Sequence, residues 1–149
     1  MILADVFDER LIKLDLEGTD KTTVFQELVE AIAAVKPELS REDMLSALHD
    51  REAKMQTALS GGIAVPHGYF HGLKGIIGAL GFSRDGIDYG VSEAEPVHLV
   101  VMLLLGEGEH ERHLRVLSRI LTLIESGTLS QIKDSPNPHE VYKILCKVG

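Results

Sequence analysis

Apolar and polar residues alternate through "RLIKLDL", Arg10 to Leu16, which predicts a short strand with one buried face. The period then lengthens. Val24, Leu28, Ile32 and Val35 recur at helical spacing, so a helix runs from a cap at Thr19 or Asp20 to about Val35, where Lys36-Pro37 ends it. Ser40, with Asp43 three residues on, resembles a capping box. It opens a second helix that carries Leu45, Leu48, Glu52 and Met55 on neighbouring turns, with Arg51 at the margin of that face. "GIIGALGFS" and "VHLVVMLLLG" read as strands; the second scarcely alternates, which predicts burial on both faces. "RDGIDYG" between them carries turn chemistry, with room for a small extra strand. Leu114, Leu117, Leu121 and Ile124 form the core stripe of a helix over Glu109 to Glu125. Gly127 stops it, a short helix follows, and Asn137 caps a last helix that starts at Pro138. Strands and helices mix without repeats or a linker. The predicted fold is α/β, a single domain over residues 1–149 with a mixed β-sheet flanked by helices on both faces.

Composition then narrows the function. The 149 residues are 44% hydrophobic and 26% charged, with a net charge of -8. No basic stripe offers itself to phosphates, so nucleic acid is not an expected partner, and repulsion disfavours an anionic membrane surface. The longest apolar stretch, "VVMLLLG" from Val100, is too short to span a bilayer, and "MILADVFDERL" lacks the shape of a signal peptide. The single cysteine, Cys146, excludes an internal disulfide and fits a reducing compartment. A soluble cytoplasmic protein without stable membrane insertion is expected.

Candidate chemistry centres on "SGGIAVPHGYFHG", residues 60–72. Pro66 cannot donate a backbone hydrogen bond, and Gly68 permits a sharp bend or a close approach. His67 between them is expected at the end of a strand, held by stiff backbone. His71 follows four residues later, and His110 and His113 form a second pair on the first turn of the long helix. Both extend the stripe of Leu114 and Leu117 and share its inward side, at a helix end that favours anions. Each pair also has an ordinary reading, since a first-turn histidine is commonly a cap or a surface residue.

Three chemistries compete for these groups. Two histidine pairs offer nitrogen ligands to zinc, but no metalloprotease spacing occurs: "HERH" has two residues between its histidines. No metal or other cofactor is therefore expected. Acyl chemistry lacks a G-x-S-x-G, and Cys146 lies within the last helical pattern as a buried structural residue. Phosphoryl transfer through histidine fits better. A neutral imidazole, with a reference pKa of about 6.5, is a competent nucleophile near neutrality. Such a site needs one free ring nitrogen, a fixed ring, donors for three equatorial oxygens and an open approach. His67, a histidine at a helix N-terminus and the helix-borne Arg51 meet those needs, and no P-loop indicates direct use of a nucleotide.

The run from Glu52 through Leu59 to Ile63, Ala64, Val65, Pro66, His67 and Gly68 resembles the phosphorylation-site signature of the fructose/mannitol-type enzyme IIA family of the phosphoenolpyruvate-dependent phosphotransferase system (PTS), whose motif the nitrogen-regulatory IIA proteins share. Ser60 stands where glycine or alanine is usual, a small residue for a small one. "LHDREAKMQTALSGGIAVPHG" is similar to the family's helix-to-active-site segment, Arg51 included, and "HLRVLSRI" to the helix bearing its second histidine, which maps onto His113 rather than His110. The resemblance covers essentially the whole chain and makes residues 1–149 one EIIA type-2 domain. It implies a phosphocarrier: His67 accepts phosphoryl from the carrier protein HPr, His113 orients His67 or binds the phosphoryl oxygens, and Arg51 supplies a planar donor fork. It implies either of two acceptors, a IIB domain on the way to a sugar or a protein regulated by the phosphorylation state. A non-catalytic binding module on the same fold is the alternative of a different class. His71 and His110 match no residue the family requires. Thr57 and Ser60 are candidate donors near the site or turn residues, and Tyr69 and Phe70 belong either to a docking surface or to the core.

Overall fold

A computed structural model of the chain describes residues 2–59, 61–90, 96–108, 110–135 and 137–148. The elements run α1 (Ile2–Val6), β1 (Phe7–Lys13), α2 (Lys21–Val35), α3 (Arg41–Lys54), β2 (Ala58–Leu59), β3 (Ile63–Ala64), β4 (His67–Tyr69), β5 (Ile76–Ile87), β6 (Val97–Leu105), α4 (His110–Glu125), a 3₁₀ turn (Thr128–Asp134) and α5 (Pro138–Val148). Among the described residues the strands form one sheet in the order β1-β5-β6-β3-β2, with β4 also paired to β6. β5 runs antiparallel to β6 and β2 to β3, whereas β1 is parallel to β5, and β3 and β4 are parallel to β6. The sheet is mixed, as its sequence pattern predicts.

β6 takes the centre because both of its faces are apolar. Val100, Met102 and Leu104 pack on one side with Val24, Leu28 and Leu48 of α2 and α3. Leu99, Val101, Leu103 and Leu105 pack on the other with Val116 and Ile120 of α4 and Leu145 of α5. Helices thus cover both faces. Their starts follow the predicted capping chemistry. Asp20 accepts from the Thr23 N–H at 2.8 Å, Ser40 from the Asp43 N–H at 3.2 Å, and Asn137 from the Glu140 N–H at 3.0 Å.

Several local expectations are corrected. β1 starts at Phe7 rather than Arg10, after a short helix the pattern does not announce, and it is not buried on one face only. Leu11 enters the core under α2 while Ile12 enters the opposite one, because β1 is covered on both sides. The predicted turn "RDGI" continues β5, with Gly86 at φ +95° where the register shifts. On α4 the buried stripe is His113, Val116, Ile120 and Leu123, while Leu114 and Leu121 face solvent. On α3 it is Met44, Leu48 and Glu52, with Leu45 at the margin and Met55 69% exposed. Glu109, the expected helix start, lies outside the described residues.

Candidate functional site

β3 and β4 are two pieces of one interrupted strand. Ile63 and Ala64 pair with Leu99 and Val100, then His67, Gly68 and Tyr69 pair with Leu103, Leu104 and Leu105 further along the same β6. Val65 and Pro66 lie between the pieces. Pro66 has no N–H to give, although its carbonyl accepts from the Leu103 N–H at 2.9 Å. The Val65 N–H turns away from β6 and donates to the Thr57 carbonyl at 3.0 Å. His67 is therefore the first residue of β4, not the last of β3. Its half-buried ring sits with Nδ1 2.9 Å from the Val65 carbonyl oxygen. A carbonyl only accepts, so Nδ1 carries the proton, and in the neutral ring Nε2 keeps its lone pair.

α3 lies directly against β4 on the side that Gly68 presents. A Cβ built on Gly68 would stand 2.7 Å from the Ala47 carbonyl oxygen and 2.8 Å from its carbon. These are backbone atoms of a helix and cannot give way locally. Gly68→Ala is expected to cost about 1–3 kcal/mol or more by overpacking, read as a lowered thermal midpoint. Arg51 follows Ala47 by four residues and so occupies the same row of α3 one turn on. It is half-buried, and its Nη1 donates to the Met55 carbonyl at 3.0 Å, at the end of the helix.

The second histidine pair divides. His113 is 3% exposed, whereas His110 is exposed, so the two do not share the inward side. Tyr69 bridges them: its ring lies 5.6 Å from that of His113 and 6.1 Å from that of His110. Since His67 and Tyr69 are two apart on β4, they leave the strand on the same face, the one met by the N-terminal turn of α4. Tyr69 is 59% exposed while Phe70 is buried, so the two aromatics divide between surface and core. His71 is 94% exposed and its Nδ1 contacts a Glu107 carboxylate oxygen. Cys146 is half-buried rather than buried. Ser60 lies outside the described residues. Among those described, no group of three or more His, Cys, Asp or Glu stands together to hold a metal ion.

Beneath this surface is a buried polar network. Glu52, 5% exposed, accepts from the Thr57 N–H at 3.0 Å and from the Thr57 hydroxyl at 2.7 Å. The Thr57 proton is committed to Glu52, so Tyr89 donates its own hydroxyl to Thr57 Oγ1 at 3.0 Å. Burial raises the Tyr89 pKa, which keeps the phenol protonated for that role. The Lys21 ammonium completes the group, 3.5 Å from Glu52 and 4.7 Å from the centre of the Tyr89 ring. Sequence reasoning names Glu52 and Thr57 but misses Lys21 and Tyr89. These two reach the network from the start of α2 and from the loop just after β5, 31 and 32 positions away from Glu52 and Thr57 respectively, so tertiary packing alone brings them in.

Solved structures share this architecture, and a family model sets the class of protein, an enzyme IIA. The nitrogen regulatory protein IIA-Ntr of Neisseria meningitidis matches with a TM-score of 0.89 at 27% identity, over 97% of this chain and 99% of that one. The mannitol enzyme IIA of Escherichia coli, solved in complex with phosphorylated enzyme IIB, has the same fold, with a TM-score of 0.75 at 18% identity over 95% of this chain and 99% of that one. The family described as "Phosphoenolpyruvate-dependent sugar phosphotransferase system, EIIA 2" matches residues 5–148, and the chain belongs to it. A fructose-specific EIIABC component of Bacillus subtilis is 32% identical over 83% of this chain, which spans only 20% of that relative's length. Among the described residues no helix is long and apolar enough to cross a membrane.

Proposed function

We propose that the chain, acting as one domain over residues 1–149, is a cytoplasmic phosphocarrier that accepts a phosphoryl group from phospho-HPr on His67 and passes it to a IIB domain. The 2.9 Å contact between His67 Nδ1 and the Val65 carbonyl carries this reading, because it leaves Nε2 as the nucleophile on a half-exposed ring. In the transfer the N–P bond of the donor phosphohistidine breaks as the Nε2–P bond forms. The donor ring recovers its lone pair, and the His67 ring becomes cationic with its Nδ1 proton still held by Val65. That carbonyl dipole favours the charge that develops. Arg51, in the last turns of α3, is the proposed donor fork for the equatorial oxygens. His113, in the first turn of α4, is the proposed second contact to them or to His67. Exposed Tyr69 and Leu114 beside these groups supply apolar surface suited to a protein donor.

A regulatory role uses the same chemistry and differs only in the acceptor. It is favoured by the TM-score of 0.89 to IIA-Ntr of Neisseria meningitidis at 27% identity. The test of the carrier reading is labelling from phosphoenolpyruvate. Label is expected only when enzyme I and HPr are both present, and it should be lost in acid and survive alkali, as an N–P bond requires. Label that forms without HPr, or that is stable in acid, removes the reading. Onward transfer to a IIB domain then separates transport from regulation.

A further inference from the structure

We propose that Glu52 is a positioning residue for His67, acting through Thr57 and Val65. Three consecutive hydrogen bonds join the buried carboxylate to the imidazole. The Thr57 N–H donates to Glu52 at 3.0 Å, the Val65 N–H to the Thr57 carbonyl at 3.0 Å, and His67 Nδ1–H to the Val65 carbonyl at 2.9 Å. The middle links lie outside the regular sheet. Thr57 belongs to the loop between α3 and β2, and Val65 to the gap between β3 and β4. The Val65–Pro66 peptide unit, whose oxygen receives the His67 proton, is thus restrained through the peptide groups on either side of it. On one side β6 holds it, through the Leu103 N–H on the Pro66 carbonyl at 2.9 Å. On the other side it has Thr57, and Thr57 is held by Glu52.

The chemistry of Glu52 fits that task. A carboxylate with almost no exposure must be compensated by charge and donors, and here Lys21, the Thr57 N–H and the Thr57 hydroxyl provide both. Two of those three contacts go to a single residue, so the carboxylate grips Thr57 at its backbone and its side chain together. A backbone hydrogen bond alone would leave the loop free to pivot about it. With Thr57 fixed, the Val65 carbonyl has one direction, the His67 ring one orientation, and the neutral imidazole one tautomer. A histidine nitrogen is set as donor or acceptor by the bond its partner nitrogen makes. If the Val65 carbonyl drifts, a share of the molecules carries the proton on Nε2, and these have no lone pair on that nitrogen to attack with.

The proposal rests on the phosphocarrier reading for its consequence, though its geometry stands apart from it. The experiment is the ¹⁵N spectrum of the histidine rings in unphosphorylated protein at a pH where they are neutral. His67 of the native protein is expected as the Nδ1–H tautomer. Glu52→Gln is nearly isosteric but cannot accept on both sides of the amide, so it should mix the two tautomers of His67. Thr57→Val should do the same, and Thr57→Ser should restore the native state. His98 is an internal control for general damage to the fold: its Nδ1 bonds the Ser83 carbonyl at 2.8 Å, a partner outside the network, and its tautomer should not change. Transfer from phospho-HPr should fall by about tenfold in Glu52→Gln, by analogy with the lower range for loss of a partner that orients a metal-bound histidine. His67 held in the Nδ1–H form in both Glu52→Gln and Thr57→Val, with native transfer rates, would overturn the proposal while leaving the carrier reading intact. A protein that takes no phosphoryl group, yet shifts its His67 tautomer in Glu52→Gln, would remove the carrier reading and keep the positioning role. If Glu52→Gln does not fold, Thr57→Val carries the test alone, since it keeps both backbone links and removes only the hydroxyl.

Discussion

His67→Ala is expected to abolish labelling from phospho-HPr completely rather than to slow it. In the proposed mechanism the group is held covalently between donor and acceptor, and the nucleophile is one atom, Nε2 of this ring. Neither His113 nor His71 is placed to replace it. His113 is 3% exposed behind Tyr69, and His71 stands 94% exposed against Glu107, two residues past the end of β4. His71→Ala is therefore expected to retain most of the labelling. His67 is only half-buried, so its removal should leave thermal unfolding close to native, and the loss will be a loss of chemistry. Labelled phosphoenolpyruvate with enzyme I and HPr is the assay, run beside unfolding curves of the same preparations. Full labelling of His67→Ala would overturn the assignment of the acceptor atom.

Arg51→Ala and His113→Ala should slow transfer without eliminating it. A well-placed donor to a transition-state oxygen is worth about 2.7–4 kcal/mol, or roughly 100- to 1,000-fold in rate. The charged states of the two residues separate their contributions from simple packing. Arg51→Lys keeps the charge and loses the planar fork, so it should recover part of the rate. His113→Gln keeps a polar group of similar reach but cannot become cationic, and should fall between the native protein and His113→Ala. Their stability costs differ for a structural reason. His113 is enclosed in the core stripe of α4, so its truncation leaves a cavity and lowers the thermal midpoint, whereas Arg51 gives up a hydrogen bond to the Met55 carbonyl at a half-exposed helix end. Native transfer rates in both alanine variants would leave His67 working without either residue.

The α4 helix shows where one-dimensional reading meets its limit. Two stripes of equal period run along it: Leu114, Leu117, Leu121 and Ile124, or His113, Val116, Ile120 and Leu123. The first is the more apolar and is the one that hydropathy selects. The fold buries the second, with Leu117 and Ile124 at its margin. Adjacent stripes differ by a rotation of about 100° about the helix axis, and period alone cannot choose between them. The choice is made by the shape of the sheet beneath, where Leu103 and Leu105 of β6 and Val65 receive the helix. The same rotation buries His113 and exposes His110, so the corrected stripe also decides which of the two histidines is enclosed.

Local chemistry was enough for the features that depend on neighbours in the chain. Capping side chains mark the starts of α2, α3 and α5, because an N-terminal turn needs acceptors for its own N–H groups. The unbroken apolar run of β6 announces a central strand, and Pro66 announces the break that brings His67 to the surface. The Glu52-to-Gly68 motif is legible for the same reason, since its residues lie within one short stretch of chain. What the sequence could not disclose are contacts between residues remote in number. The continuation of β5 through "RDGI" depends on β6 beside it, which outweighs the turn propensity of Asp85 and Gly86. Lys21 and Tyr89 join Glu52 only after α2, α3 and β5 have packed. Such a network has no spacing to read, because burial selects it: an enclosed carboxylate requires partners from whichever elements close over it.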